Sequence, residues 1–216
     1  MKKWIAFGLL LIFTGFAMLV FVFGNTAMDE RIDQAIRGMR SEKLTPFVIA
    51  ITQFGSFKVE LLIALICALW LLIRYRAIAK TSALLGSLIG AILLNTALKN
   101  LFQRPRPELE RLMEATGYSF PSGHAMMTSA FYGMLTYLIW LYFKERSRPV
   151  AGAAIAAIGA IWIILMGVCR IYLGVHYTTD IVAGFAAGGI WLVVIIGLLG
   201  RYRKPDRVRV LQHTPG

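Results

Sequence analysis

The sequence predicts an all-α bundle of six membrane-spanning helices, built as one domain over residues 1–216. Hydrophobic residues make up 58% of the chain and charged residues 16%, where an ordinary soluble domain carries about a quarter charged. The apolar residues gather into runs of about 20, the length that crosses a hydrocarbon core. Lys and Arg stand in short clusters between those runs. The formal net charge of +12 therefore does not describe a basic soluble face of the kind that binds nucleic acid. Cys67 and Cys169 adjoin or lie within apolar runs and form neither a disulfide framework nor a Cys-x-x-Cys metal pattern.

The first span covers residues 4–23, behind Lys2 and Lys3. Its apolar run is longer than the core of a secretory signal, and Asn25-Thr26-Ala27 makes a poor cleavage site, so it reads as an uncleaved helix. Residues 29–40 are polar, with Ile32, Ile36 and Met39 at helical spacing. That pattern fits an amphipathic helix on the membrane surface or a solvated linker, and neither assigns a function. Residues 45–73 are too long for one straight span and would place Lys58 and Glu60 near its middle. A break at Gly55-Ser56 gives a short outer segment and a second span over 57–73, with Lys58 and Glu60 at the outer interface. A buried, functional ionisable pair is the competing reading.

A basic turn at Arg74, Arg76 and Lys80 precedes the third span, 81–102, where Ser82, Gly86 and Gly90 recur every four residues as in closely packed helices. Pro105 and Pro107 end that helix, since proline lacks the amide donor and clashes with the preceding turn. The polar loop 103–120 leads to Pro121-Ser122-Gly123-His124, which opens the fourth span, 122–143. The fifth span covers 150–169 and the sixth 177–199, followed by a basic tail over 201–209. Six spans put both termini on one side. That side collects Lys2 and Lys3, the 74–80 turn, the 144–148 turn and the tail, so the positive-inside rule places the termini in the cytoplasm of a multi-pass cell-membrane protein.

Chemistry concentrates in residues 169–180, Cys-Arg-Ile-Tyr-Leu-Gly-Val-His-Tyr-Thr-Thr-Asp. His176 and Asp180 are four apart, and on a helix that spacing shares a face. The carboxylate can then hold one ring nitrogen and leave the other free to attack an electrophile. Arg170 beside them suits an anionic, phosphate-bearing substrate. Such residues at a membrane boundary can also be plain interfacial groups, and cations there can bind lipid head groups. Topology supplies a further argument: Lys99, Arg106, His124, Arg170, His176 and Asp180 all fall at the outer ends of spans three to six. The helix opened by Ser122 offers free amides and a positive dipole end to an anion. Ser122 is either its N-cap or, with Gly123, a backbone donor to a phosphoryl oxygen. His213, in the polar tail, is assigned no role.

Three motifs give this constellation a resemblance to the type-2 phosphatidic acid phosphatase superfamily. Lys99 with Arg106-Pro107 matches its K-x6-R-P motif, Pro121 to His124 matches P-S-G-H, and Arg170, His176 and Asp180 match S-R-x5-H-x3-D, with Cys169 where the family carries serine. The resemblance implies a six-helix membrane phosphatase of that family's type, working without metal or other cofactor through a phosphohistidine. In that mechanism His176 attacks phosphorus and Asp180 orients it. His124 protonates the departing oxygen and later activates water. Lys99, Arg106 and Arg170, with the Ser122 and Gly123 amides, hold the phosphoryl oxygens.

The implied substrate is a phosphorylated lipid at the outer face, with no nucleic acid and no obligate protein partner. Small bacterial six-span members resemble the chain most, which favours phosphatidylglycerophosphate, with undecaprenyl diphosphate or phosphatidate as alternatives. A non-catalytic lipid-binding or transport bundle would explain a basic rim but not the two histidines with Asp180. Vanadate-dependent haloperoxidases share an anion site of this kind, but are usually soluble.

Overall fold

A computed structural model describes residues 2–108 and 111–202, and among the described residues there is no strand. The 203–209 part of the basic tail and His213 lie outside the described residues. Among the described residues eight α-helices follow one another: α1 (Lys2–Phe23), α2 (Ala27–Arg37), α3 (Leu44–Thr52), α4 (Phe57–Tyr75), α5 (Ile78–Phe102), α6 (Gly123–Glu145), α7 (Pro149–Tyr172) and α8 (Thr178–Tyr202). Five of them, α1 and α5 to α8, are long and apolar enough to cross a membrane. The segments Leu44–Gly55 and Phe57–Tyr75, bent by 53° at Ser56, are long and apolar enough only when taken together, as a broken span or a re-entrant pair.

The bend comes from local chemistry. A 3-10 turn over Gln53–Gly55 tightens the end of α3, and Ser56 takes extended backbone angles before α4 begins. Thus the Gly55-Ser56 break is present, and Glu60, in the first turn of α4, faces inward. It is fully buried, and its Oε1 accepts a hydrogen bond from Thr128 Oγ1 of α6 at 3.0 Å, while Lys58 is exposed. The two charges part because positions 58 and 60 lie about 200° apart around a helix, so one faces α6 and the other faces outward.

Helix α6 is the centre of the bundle, packed against α4, α5, α7 and α8. Small residues set how closely its neighbours approach. A side-chain carbon at Gly188 would lie 2.3 Å from the carbonyl oxygen of Met126, and one at Gly90 would lie 2.1 Å from the Trp191 ring. The Trp191 indole N–H donates to the carbonyl of Gly86 at 3.1 Å, so the small-residue stripe of α5 receives α8. The inner core gathers Leu84, Leu88, Phe131, Met134 and Ile195. Large apolar side chains such as Phe21, Leu62, Ile73 and Ile161 face outward, as lipid-facing surfaces require.

Helix α2 is not a free surface helix. Its Thr26 and Asp29 form a reciprocal capping box, and it packs against α7 and α8. The ends of α1, α5 and α7 and the starts of α4, α6 and α8 lie at the same end of the bundle, where α2 packs on α7 and α8 and α3 packs on α7.

Candidate active site

The site begins where α7 ends. Arg170 lies in the last turn of α7, and the chain turns through Gly174, whose φ of 73° is the left-handed conformation glycine adopts at least cost. His176 follows in the turn rather than on a helix, two residues before α8 starts. It still meets Asp180, because the carboxylate folds back over the first turn of α8. Asp180 Oδ2 accepts from the Tyr177 amide at 3.0 Å and pairs with His176 Nδ1 at 3.3 Å. A shared helix face therefore gives the right contact by the wrong geometry; a helix-start cap is the actual device.

With Nδ1 on Asp180, Nε2 is the nitrogen left for chemistry, and Arg106 Nη1 stands 3.2 Å from it. His176 is 3% exposed. Burial first, and then the positive charges of Arg106, Arg170 and Lys99, hold its imidazole well below the ordinary 6.5. The neutral ring is the nucleophilic form. All three cations lie near enough for their charges to act on the ring, Arg106 in direct contact with it.

Each of those cations also touches the loop that follows α5. Lys99 Nζ donates to the carbonyl of Tyr118 at 2.6 Å. Arg106 donates from Nε to Gly117, from Nη2 to Thr116 and from Nη1 to Val175, all backbone carbonyls at 2.8 to 3.0 Å. Arg170 Nη1 reaches Met113 Sδ at 3.2 Å and Thr52 Oγ1 of α3 at 3.3 Å. Helix α5 ends at its C-cap Gln103, whose φ of 47° is left-handed, and Arg106 beyond it lies near enough to Lys99 for the two charges to act on each other.

At the start of α6, Ser122 is fully buried and acts as the N-cap, its Oγ accepting from the Ala125 amide at 3.4 Å. Its own amide donates to the carbonyl of Asp180 at 3.0 Å. This departs from the sequence expectation, since a donor engaged with α8 does not hold a phosphoryl oxygen. Gly123 is squeezed as well: a side-chain carbon there would lie 3.0 Å from Asn95 Oδ1, and Asn95 Nδ2 donates to the Pro121 carbonyl. His124, on the first turn of α6, packs against Gly55 together with Thr128 and Met166. Cys169 packs into an apolar cluster with Val48, Tyr172, Leu173 and Val175.

Sequence reasoning missed four polar residues around the site. Arg104 pairs with Asp180 at 2.6 Å and with Asp29 at 3.1 Å. Asp29 accepts from the amide and hydroxyl of Thr179, and Asp33 from those of Thr178. Thr52 braces Arg170. The one available signal was acidic: Asp29 and Asp33 are four apart on the polar face of α2, and carboxylates suit a helix start. Nothing in the sequence said that the helix start would be that of α8.

A family model described as the PAP2 superfamily matches residues 80–204. The chain is 30% identical over 184 residues to phosphatidylglycerophosphatase B of Bacillus subtilis (strain 168), covering 82% of this chain and 87% of that protein. It is 26% identical over 205 residues to an undecaprenyl-diphosphatase of Sulfolobus acidocaldarius, covering 89% of each. The crystal structure of a transmembrane PAP2 type phosphatidylglycerolphosphate phosphatase from Bacillus subtilis matches with a TM-score of 0.83 at 25% identity, over 91% of this chain and 96% of that one. The matched region holds every residue of the site from Lys99 to Asp180 and reaches the end of α8. With a relative similar across most of both chains, and a fold that agrees, the chain belongs to the PAP2 superfamily and is a membrane lipid phosphatase.

Proposed function

We propose that the chain, acting as a single domain, hydrolyses phosphatidylglycerophosphate to phosphatidylglycerol and phosphate through a phosphohistidine on His176. The observation that carries this is the pairing of His176 Nδ1 with Asp180, which leaves Nε2 beside Arg106 in a ring of three cations. In the first step the Nε2 lone pair forms the N–P bond as the P–O bond to the lipid breaks. The departing oxygen takes a proton from His124, and Asp180 balances the charge that appears on His176. In the second step His124 takes a proton from water, whose oxygen attacks phosphorus. The N–P bond breaks, returning its electron pair to Nε2, and inorganic phosphate leaves.

Lys99, Arg106 and Arg170 hold the phosphoryl oxygens and exchange their present carbonyl, hydroxyl and sulfur partners for them. The amides of Gly123 and His124 at the start of α6 are better placed to assist than that of Ser122, which α8 already holds. The positive clusters at the opposite end of the bundle favour cytoplasmic termini and a site at the outer face, level with lipid head groups. The choice of phosphatidylglycerophosphate is supported by the likeness to the Bacillus enzyme in sequence and structure. Undecaprenyl diphosphate is the second reading, supported by the likeness to the Sulfolobus enzyme over nearly the whole chain.

Phosphate release from phosphatidylglycerophosphate, phosphatidate and undecaprenyl diphosphate in mixed micelles, with chelator present and His176→Ala alongside, tests the proposal. Release of phosphate that vanishes in the variant, with phosphatidylglycerophosphate the best substrate, is expected. Turnover that persists in His176→Ala would remove the nucleophile, and strict dependence on added magnesium would contradict cation-only phosphate binding.

A further inference from the structure

Arg104 lies two residues before Arg106, yet its guanidinium points the other way, into the protein. It is 5% exposed and anchored on both branches of its fork. Nη1 donates to Asp180 Oδ1 at 2.6 Å and to Thr179 Oγ1 at 2.7 Å. Nη2 donates to the Gly24 carbonyl at 2.8 Å, to Asn25 Oδ1 at 3.2 Å and to Asp29 Oδ2 at 3.1 Å. The plane lies over the Tyr177 ring, 4.1 Å from its centroid. Four chain segments therefore meet on one side chain: the end of α1, helix α2, the α5–α6 connection and the start of α8.

Both oxygens of Asp180 are thereby assigned. Oδ2 serves His176 and the Tyr177 amide, and Oδ1 serves Arg104. A carboxylate held at both oxygens cannot rotate, so the direction in which it holds the imidazole is fixed. The charges matter as much. Two buried carboxylates, Asp29 and Asp180, share one guanidinium, leaving the trio one negative charge in excess. An imidazole that becomes cationic on phosphorylation supplies the missing positive charge next to Asp180. Lysine at position 104 would keep the charge but lose the planar fork that reaches Asp180, Thr179 and Asp29 together.

We infer that Arg104 is a positioning residue of the phosphatase, acting through Asp180 to aim His176, with Asp29 of α2 as the anchor on its other branch. This rests on the phosphohistidine reading given above.

The test is steady-state phosphate release from phosphatidylglycerophosphate by the purified full chain in mixed micelles. It compares Arg104→Gln, Arg104→Lys, Asp180→Asn, the Arg104→Gln/Asp180→Asn double variant and His176→Ala, each checked for a monodisperse gel-filtration peak. Arg104→Gln should lower kcat by about 10- to 100-fold, the worth of a buried charge-assisted hydrogen bond, while KM stays within about threefold. In the Asp180→Asn background the same change should have almost no further effect, because the group it acts through is gone. Should Arg104→Gln not fold, Arg104→Lys carries the test with the same expected fall in kcat. A wild-type kcat in Arg104→Lys, a rise in KM at unchanged kcat, or a full loss on top of Asp180→Asn would each overturn the inference. Release that survives His176→Ala overturns the phosphohistidine reading itself. Release lost there but untouched by both Arg104 changes overturns only the role of Arg104.

Discussion

Gly55 stands directly against His124: a side-chain carbon at Gly55 would lie 3.0 Å from Cδ2 of the imidazole and 3.2 Å from Thr128 Oγ1. The residue that breaks the second span thus also sets the position of the proposed acid.

Gly55→Ala should displace His124 by a few tenths of an ångström without unfolding the bundle. A fall in kcat of about 3- to 10-fold at nearly constant KM is expected, and Gly55→Val should lower it by about 100-fold, as positional errors in catalytic groups do. Phosphate-release kinetics check both, with thermal unfolding in detergent to confirm that the fold persists.

The depressed imidazole of His176 has a definite sign. Because it stays neutral below the ordinary 6.5, the proposed nucleophile remains competent there, and kcat/KM should hold until the pH is well under that value. A pH–rate profile whose acid limb begins at 6.5 or above would contradict it. For stability, the unfolded chain takes up the proton that the folded site refuses. The contribution of His176 is therefore lost as pH falls below 6.5.

Asp33 behaves in the opposite sense. Burial, as the largest cause, lifts its carboxyl from 3.8 to about 6, against the hydrogen bond from Thr178. The folded protein keeps a proton that the unfolded chain releases, so stability from this group falls as pH rises from about 4 to 6 and is level above. The shift corresponds to at most about 3 kcal/mol. Asp33→Asn keeps an oxygen that can accept from Thr178 and should remove that slope, which melting temperatures of both proteins at pH 4.5 and pH 7 would read.

Glu60 gives a packing prediction. Its Oε1 is the acceptor for Thr128 Oγ1, and its other oxygen is buried with no hydrogen-bond partner among the described residues. Glu60→Gln should therefore change stability by less than about 1 kcal/mol, whereas Glu60→Ala should cost about 2 to 4 kcal/mol by leaving a cavity and an unpaired hydroxyl. Thermal unfolding in detergent separates the two, and equal losses would mean that the charge of Glu60 matters more than its shape.

Local signals made much of the site legible. Lys99, Arg106, His124, Arg170, His176 and Asp180 could be found because each sits at the end of an apolar run, and alternating spans bring alternate ends to one face. Ser122 was ambiguous for a physical reason: the same amide can cap, bind an anion or pair with another helix, and only the docking of α8 chose the last. The inward facing of Glu60 was not legible because hydropathy locates a residue along a helix but not around it. Helix α2 went unassigned because its carboxylates act on donors some 145 residues further along the chain.

The sequence by itself determined the six apolar runs, the break at Gly55-Ser56 and the side on which the cations gather, which follow from composition and periodicity acting over a few turns of helix. Its three motifs singled out the residues proposed to carry the chemistry. The tertiary structure alone decided that Asp180 reaches His176 as a helix-start cap, that Arg104 and Asp29 hold Asp180 from behind, and that Gly55 makes room for His124. Those contacts join segments distant in sequence, and their geometry is fixed by how closely α6 and α8 pack across their small residues, which no local pattern encodes.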